Sequence, residues 1–371
     1  MKIRVLHYLR NLNLGGTEKT CQLFFEHAGE DFEVAVVTER SGQHPRLEEF
    51  RKAAKVSGGE IFMVDSYAQE GIIDVSGLNG VIAHFKPDIF HVYRSGYAEY
   101  PEPGEHIKVP HFVETNVFGM FDPNPAIGRT LFMSKWLMDS LTNRMSAIAR
   151  NTYDDRLDYV NNPVVSPYTD DCLPIKNQWP SDCIILGRVG RPDNGIYNSV
   201  HIEAAYRLRQ QGYDVRFVVV APPSNMVDDL ANYEIPFYMV EPTTDPLILS
   251  QAYNTMDIYA HARADGETFG VNIAEAMIHS LPVVTHVATP SVPGMGVFQS
   301  QTELVDHGLT GLIVDNDVEQ YTNALKRLID GVNLRLYMGA SGRAKAEREY
   351  HIDACMKKLE RIYREVVNAQ E

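Results

Sequence analysis

Short apolar runs alternate with helix-period stretches along the whole chain, and this alternation restricts the fold more than any other feature. In the first half, strand-like runs fall at 3–9, 32–38, 60–64, 89–93, 111–114 and 129–133, with helical stretches at 18–28, 44–55, 71–85 and 134–149. The second half repeats the pattern, with runs at 183–187, 215–220, 235–239, 258–260, 283–285 and 311–314, and helical stretches at 196–211, 224–232, 246–254, 270–279 and 317–330. Strands separated by helices in this way belong to parallel sheets covered on both faces. The expectation is an α/β chain of two Rossmann-like domains facing one another across a cleft. Periodicity lapses, and Pro and Asp accumulate, from Asn162-Pro163 to Pro174, which sets the domains at 1–165 and 166–351. Residues 333–348 predict one more helix. The last, at about 352–369, carries Cys355, Leu359, Ile362 and Val366 or Val367 on one stripe, and is expected to cross back onto the N-terminal domain.

Composition narrows the classes of partner. The 371 residues are 44% hydrophobic and 22% charged, enough for two packed cores. A formal charge of −15, with no Lys/Arg-rich tract, excludes nucleic acid as an expected partner. Residues 1–165 hold 17 basic against 22 acidic side chains and residues 166–371 hold 17 against 27, so neither half offers a bulk positive field to anionic lipid. No run of 18 apolar residues occurs and the first ten residues are interrupted by charge, so neither a signal peptide nor stable membrane insertion is expected. Cys21, Cys172, Cys183 and Cys355 are scattered, without a C-x-x-C pair or a His at ligand spacing. Reduced thiols, a cytoplasmic location and no metal site follow as expectations.

Chemistry concentrates in a few segments. Glu267-Thr-Phe-Gly-Val-Asn-Ile-Ala-Glu275 sets two carboxylates eight positions apart, ahead of the apolar run Leu281-Pro282-Val283-Val284. If a helix begins after Gly270, Glu267 stands on the loop before its positive end and Glu275 in its second turn. Carboxylates accept from sugar and ribose hydroxyls, and free helix N–H groups donate to phosphate, so the pattern suits a polyhydroxylated ligand with a diphosphate. A surface helix with ordinary acids is the plainer alternative. Gly187-Arg188-Val189-Gly190-Arg191-Pro192 follows the first strand of the second half and puts two guanidiniums where a phosphate fits, or else two arginines on a solvated loop. Gly15-Gly16 allows a side-chain-free approach at the end of the first strand.

Together these segments resemble the retaining nucleotide-sugar glycosyltransferases of the GT-B fold, family-four type, over nearly the whole chain. Gly15-Gly16-Thr17-Glu18 is similar to that family's glycine loop, Gly187-Arg188-Val189 to its phosphate-site motif, and Glu267 to Glu275 to its Glu, seven residues, Glu signature. Glu275-Ala276-Met277 with Leu281-Pro282-Val283-Val284, then Gln301-x-Glu303 with Gly308-x-x-Gly311, continue the likeness. The resemblance implies that Arg188 contacts the donor diphosphate, Glu275 the ribose hydroxyls and Glu267 the transferred sugar, Arg188 and Glu267 being the catalytic pair. It implies phosphate and sugar contacts from the backbone at Gly15 and Gly16 and at Thr268, Phe269 and Gly270, with Arg191 assisting. Base recognition is expected from the loop after the strand at 235–239. Two departures stand out: Asn194 before Gly195 where the family usually has Lys, and Asn116 where it often has a first-domain His. His111 is expected to lie within its strand.

The activity implied is retaining, metal-independent transfer of a hexose-type sugar from a nucleoside-diphosphate sugar, with no cofactor. A donor phosphate oxygen is the expected base. A nucleotide-sugar epimerase using Glu267 and His261, and a non-catalytic nucleotide-sugar-binding protein marked by Asn194 and Asn116, are the alternatives. A dinucleotide oxidoreductase lacks its G-x-G-x-x-G after the first strand, and a serine hydrolase its G-x-S-x-G. The acceptor, saccharide or glycolipid or small molecule, is expected at Tyr93–Pro110 and at 115–128, with Asn116 and Phe118 as candidates. The irregular stretch 286–302 is expected to form a loop over the cleft. Donor base and sugar, linkage and oligomeric state stay open.

Overall fold

A computed structural model of the chain describes residues 2–65, 67–69, 72–96, 100–104, 107–290 and 296–369. The middle of the expected 286–302 loop, and two parts of the Tyr93–Pro110 segment, lie outside the described residues. Two units divide the chain: Met1–Pro163 with Ile352–Glu371, and Val164–His351.

The first unit runs β1 (Ile3–Leu9), α1 (Gly16–Glu26), β2 (Phe32–Glu39), α2 (Leu47–Ser57), β3 (Glu60–Val64), β4 (Tyr67–Gln69), β5 (Ile72–Asp74), α3 (Ser76–Phe85), β6 (Ile89–Arg94), β7 (His111–Asn116), β8 (Ile127–Phe132), α4 (Lys135–Thr142), α5 (Ala147–Tyr153) and β9 (Leu157–Tyr159). Seven of the strands form one parallel sheet in the order β3-β2-β1-β6-β7-β8-β9. Alternate residues of the central strands, Leu6 and Tyr8, Ala35 and Val37, Phe90 and Val92, pack with Leu78, Ile82 and Phe85 of α3 in one buried cluster. The residues between them, Val5, Val34, Val36 and Ile89, are buried too, which is why these strands read apolar throughout.

The second unit runs β10 (Ile184–Val189), α6 (Val200–Gln210), β11 (Val215–Val220), α7 (Ser224–Asn232), β12 (Phe237–Val240), α8 (Pro246–Thr255), β13 (Ile258–Ala260), α9 (Val271–Ile278), β14 (Val283–His286), α10 (Gln301–Leu304), β15 (Gly311–Val314), α11 (Val318–Asp330) and α12 (Val332–Glu349). Its six strands are parallel in the order β12-β11-β10-β13-β14-β15. Leu186, Phe217, Val219, Ile258 and Val284 share a core with Ile202, Leu208, Leu230, Leu325 and Leu328 from α6, α7 and α11. The chain enters and leaves this unit side by side, Val164 N–H donating to Tyr350 O at 2.8 Å.

The last helix, α13 (Ile352–Asn368), belongs to the first unit. Its buried stripe of Cys355, Leu359, Ile362, Tyr363 and Val366 contains the residues expected from spacing. Tyr363 Oη lies 2.5 Å from Nδ1 of buried His91, and Glu360 Oε1 accepts from Gly29 N–H at 2.9 Å. Lys358 meets Asp158 of β9 at 3.2 Å.

Three local expectations need correction. The stretch 71–85 is not all helix, because β5 pairs antiparallel with β4 and helix begins only at Ser76. The stretch 134–149 breaks into α4 and α5, each opened by a serine cap: Ser134 Oγ accepts from Leu137 N–H, and Ser146 Oγ from Ala149 N–H. The run 183–187 extends to Val189, so Arg188 is a strand residue. Among the described residues no helix is long and apolar enough to cross a membrane, and the four cysteines form no disulfide.

Candidate functional site

In the second sheet the chain lays β11 and β12 on one side of β10, then β13, β14 and β15 on the other. Strand order reverses between β10 and β13, and at such a switch point the loops leaving the carboxyl ends diverge and open a crevice. Arg188 stands at this end of β10, only 7% exposed. Its Nη1 donates to Ala221 O at 3.2 Å and Nη2 to Arg191 O at 3.3 Å. A Cβ on Gly190 would come within 2.7 Å of Nη2, so the glycine gives the guanidinium its place. Burial lowers the Arg188 pKa, an effect that Tyr259 and Glu267 oppose. The solvated-loop alternative therefore fails for Arg188 and holds for Arg191, whose side chain is exposed.

Glu267 sits on the loop between β13 and α9, buried. Oε1 is 3.2 Å from His261 Nε2, and Oε2 is 3.4 Å from Arg263 Nη1. Segment 298–301 pins the loop: Glu267 N–H donates to Gln301 Oε1 at 3.0 Å, Ser300 N–H to Glu267 O at 3.0 Å, and Ser300 Oγ to Thr268 O at 2.8 Å. Burial alone would raise the Glu267 carboxyl, but Arg263, His261 and Arg191 outweigh it and hold it below its ordinary value. Glu267 is thus an ionised acceptor. Phe269 is buried, its ring edge-on to Tyr350 at 5.5 Å.

Gly270 caps α9 with φ +102° and supplies no side-chain cap, while Ile273 N–H in the first turn donates to Asn272 Oδ1 at 2.9 Å. A positive φ is cheap only for glycine, and an uncapped N-terminus is a ready anion site. One turn on, Glu275 Oε2 accepts from the buried Tyr253 hydroxyl at 2.8 Å. Tyr253 in turn stacks on His279 at 4.9 Å. Asn272 Nδ2 donates to Val189 O at 2.9 Å and Tyr259 Oη to the same oxygen at 3.0 Å, tying α9 and β13 to the end of β10. Burial raises the Tyr259 phenol, Arg188 pulls it back, and Glu267 and Glu275 both add to the rise, so the three charges converge on one ring.

Apart from Asn194, the remaining predicted residues lie in the first unit. Its strand order also reverses, between β1 and β6, and Gly15 follows β1 there as the N-cap of α1, with Gly16 its first residue. Asn116 ends β7 on the same edge of the sheet. Its carboxamide is taken up by the following turn: Nδ2 donates to Met120 O at 2.5 Å and Met120 N–H donates to Oδ1 at 2.9 Å. Phe118 on that turn is 43% exposed. Asn194, the other departure, links to α7 through Nδ2 and Ser224 Oγ at 3.0 Å. His111 opens β7.

Arg263, Tyr253 and Tyr259 were not read as site residues in the sequence, and Asn272 and Gln301 lay within the motif segments without a role of their own. Arg263 is close in sequence to Glu267, whereas Tyr253 and Tyr259 reach the site through tertiary contacts.

Residues 181–331 match the family described as glycosyl transferases group 1. The Staphylococcus aureus capsular polysaccharide biosynthesis glycosyltransferase CapM is 24% identical over 200 residues, which are 52% of this chain and 48% of CapM, so the match spans about half the length of that relative. A glycosyltransferase from Rickettsia africae superposes with a TM-score of 0.73 at 16% identity, over 99% of each chain. HepE of Anabaena, solved in complex with UDP and glucose, gives a TM-score of 0.70 at 12% identity, over 97% of this chain and 99% of that one. The fold is that of the GT-B proteins. The match to the group 1 glycosyltransferases lies within the second unit.

Proposed function

We propose that the protein is a retaining glycosyltransferase that moves a hexose-type sugar from a nucleoside-diphosphate sugar to a saccharide, lipid-linked glycan or small-molecule acceptor. One observation carries the reading: a buried arginine, an uncapped helix N-terminus and two separately held carboxylates converge at the β10/β13 crevice. Arg188, Arg191 and the first-turn N–H groups of α9 take the diphosphate. Glu275 accepts from ribose hydroxyls and Glu267 from the transferred sugar, with backbone contacts at Thr268, Phe269 and Gly270. The segment after β12 reads the base. In the first unit, Gly15 and Gly16 offer backbone to an anionic part of the substrates, and the turn held by Asn116, with Phe118 on it, faces the acceptor.

Transfer breaks the bond between the anomeric carbon and the diphosphate, so negative charge grows on the leaving oxygen while the sugar passes through an oxocarbenium-like state. Preorganised donors aimed at that charge are worth about 3 kcal/mol each. The two arginines and the helix supply them without calling on a metal ion. Glu267, kept ionised by Arg263 and His261, is a poor proton donor at neutral pH, which counts against an epimerase built on an acid/base pair. Its task is to orient the sugar, and no covalent intermediate is invoked. HepE's bound UDP and glucose favour a UDP-hexose donor, and CapM's name favours a polysaccharide product.

The test is transfer from UDP- and GDP-hexoses to an acceptor panel, with the anomeric coupling of the product read by proton NMR. Retention of the donor's anomeric configuration is expected. An inverted product, or an epimerised sugar nucleotide formed without acceptor, would refute the reading.

A further inference from the structure

We propose that Arg263, locked by Asp265, is a positioning residue that sets the rotamer of Glu267 and so the placement of the oxygens offered to the transferred sugar. The inference rests on the donor-site reading above and adds to it a residue that no motif assigns.

A glutamate on a loop has three side-chain torsions to lose before it can present a fixed pair of oxygens. Here each oxygen has its own neighbour: His261 Nε2 at Oε1, 3.2 Å, and Arg263 Nη1 at Oε2, 3.4 Å. Arg263 is itself held. Its Nε meets Asp265 Oδ1 at 2.6 Å and its Nη2 meets Asp265 Oδ2 at 3.1 Å, a bidentate fork that leaves Nη1 for Glu267. Asp265 is fixed from behind, its carbonyl accepting from Phe298 N–H at 2.8 Å. Next to it, a Cβ on Gly266 would lie 1.8 Å from Phe298 O, so the loop is pressed against that segment. His261 is oriented through Nδ1, 2.8 Å from Thr285 Oγ1. A guanidinium whose fork is committed in this way acts through Glu267 and is distinct from the phosphate-facing Arg188.

The charged and titratable groups around Glu267 come from every neighbouring element: Tyr259 from β13 and His261 just after it, Arg188 from the end of β10, Arg191 and Asp193 beyond it, His286 from β14, and Arg263 and Asp265 from the loop itself. Burial pushes the His286 ring down to about 4, so it is neutral near pH 7 and its Nε2 accepts from Arg263 N–H at 3.3 Å. Of the groups that hold Glu267 below its ordinary value, Arg263 ranks first after the opposing effect of burial.

The experiment compares wild type, Arg263→Met, Arg263→Lys and Asp265→Asn by two readouts. Carbon-13 NMR of labelled glutamate, with the Glu267 signal assigned through Glu267→Gln, follows the carboxyl titration without any substrate. Calorimetry then measures affinity for UDP and for UDP-glucose. In Arg263→Met the Glu267 midpoint should rise and UDP-glucose affinity fall roughly tenfold, as for loss of a charged hydrogen bond, while UDP affinity holds within about twofold. Arg263→Lys should keep the midpoint near wild type yet lose part of the sugar affinity, since an ammonium lacks the fork. Asp265→Asn should move both readouts as Arg263→Met does, to a smaller extent. An unmoved midpoint in Arg263→Met, or equal losses for both ligands, would overturn the proposal. If the midpoint moves but wild type binds no nucleotide at millimolar concentration, the contact stands while the donor reading, and with it the role given to Arg263, is refuted.

Discussion

Asn272, in the first turn of α9, donates through Nδ2 to the carbonyl of Val189 at the end of β10, 2.9 Å away. This one bond holds the helix N-terminus beside the strand that carries Arg188, so the two sources of positive potential proposed for the diphosphate keep a fixed spacing. Asn272→Ala leaves Val189 O with the Tyr259 hydroxyl as a partner. It should therefore cost only about 1 kcal/mol of stability, yet weaken nucleoside-diphosphate binding several-fold. Chemical denaturation and calorimetry separate the two effects; unchanged affinity would show that the tie is structural alone.

Gly190 should behave as a functional glycine. An added Cβ meets the Arg188 guanidinium, the far end of a flexible side chain, and no backbone atom is among its nearest neighbours. Gly190→Ala should accordingly change the melting temperature by only a few degrees while displacing Arg188 and reducing nucleotide affinity. A variant that binds as wild type does would mean that Arg188 is not a phosphate ligand.

Glu267 makes a prediction with a definite sign. Its carboxyl lies below its reference value of 4.5 in the folded protein. The stability of the ionised form is fully present above that value and is lost as pH falls through the folded pKa. Glu267→Gln should therefore be destabilised relative to wild type near neutral pH, with the gap closing as the pH falls below 4.5. Denaturation curves across that range check it. A gap that widens in acid would contradict the ion pairing described.

Much of the fold was legible because parallel strands buried on both faces read as apolar runs. Where those runs were long, as at Ile3–Leu9 and Val215–Val220, their positions agree with the structure. Two local features were not legible: Leu157–Tyr159 has three residues and is partnered by the distant α13, and Ser146 gave a cap signal inside what looked like one helix. At the candidate site the motif residues were readable because they share one loop and helix. Their holders were not, since Tyr253 lies 22 positions from Glu275 and Gln301 lies 34 from Glu267. Sequence spacing carries no information about such contacts.

The first unit contains a buried charge network that was also unanticipated. Arg94 Nη1 bridges Glu114 at 3.0 Å and Asp122 at 3.1 Å, with all three side chains buried. Burial raises the Glu114 carboxyl, while Thr130 and Arg94 oppose the rise. Arg94→Met would leave two carboxylates facing one another away from water, at a cost of about 3–5 kcal/mol. A loss below about 1 kcal/mol, as for an exposed pair, would contradict the burial of the network.

The most direct test of the central claim is calorimetric titration of UDP, GDP, ADP and dTDP and their common sugar conjugates into wild type, Tyr253→Phe and Glu275→Ala. The account predicts selective binding of one nucleotide by wild type, weaker in Tyr253→Phe and weaker still in Glu275→Ala. Absence of binding by wild type at millimolar concentration, or equal binding by all three proteins, would show that the crevice between β10 and β13 is not a nucleotide-sugar site.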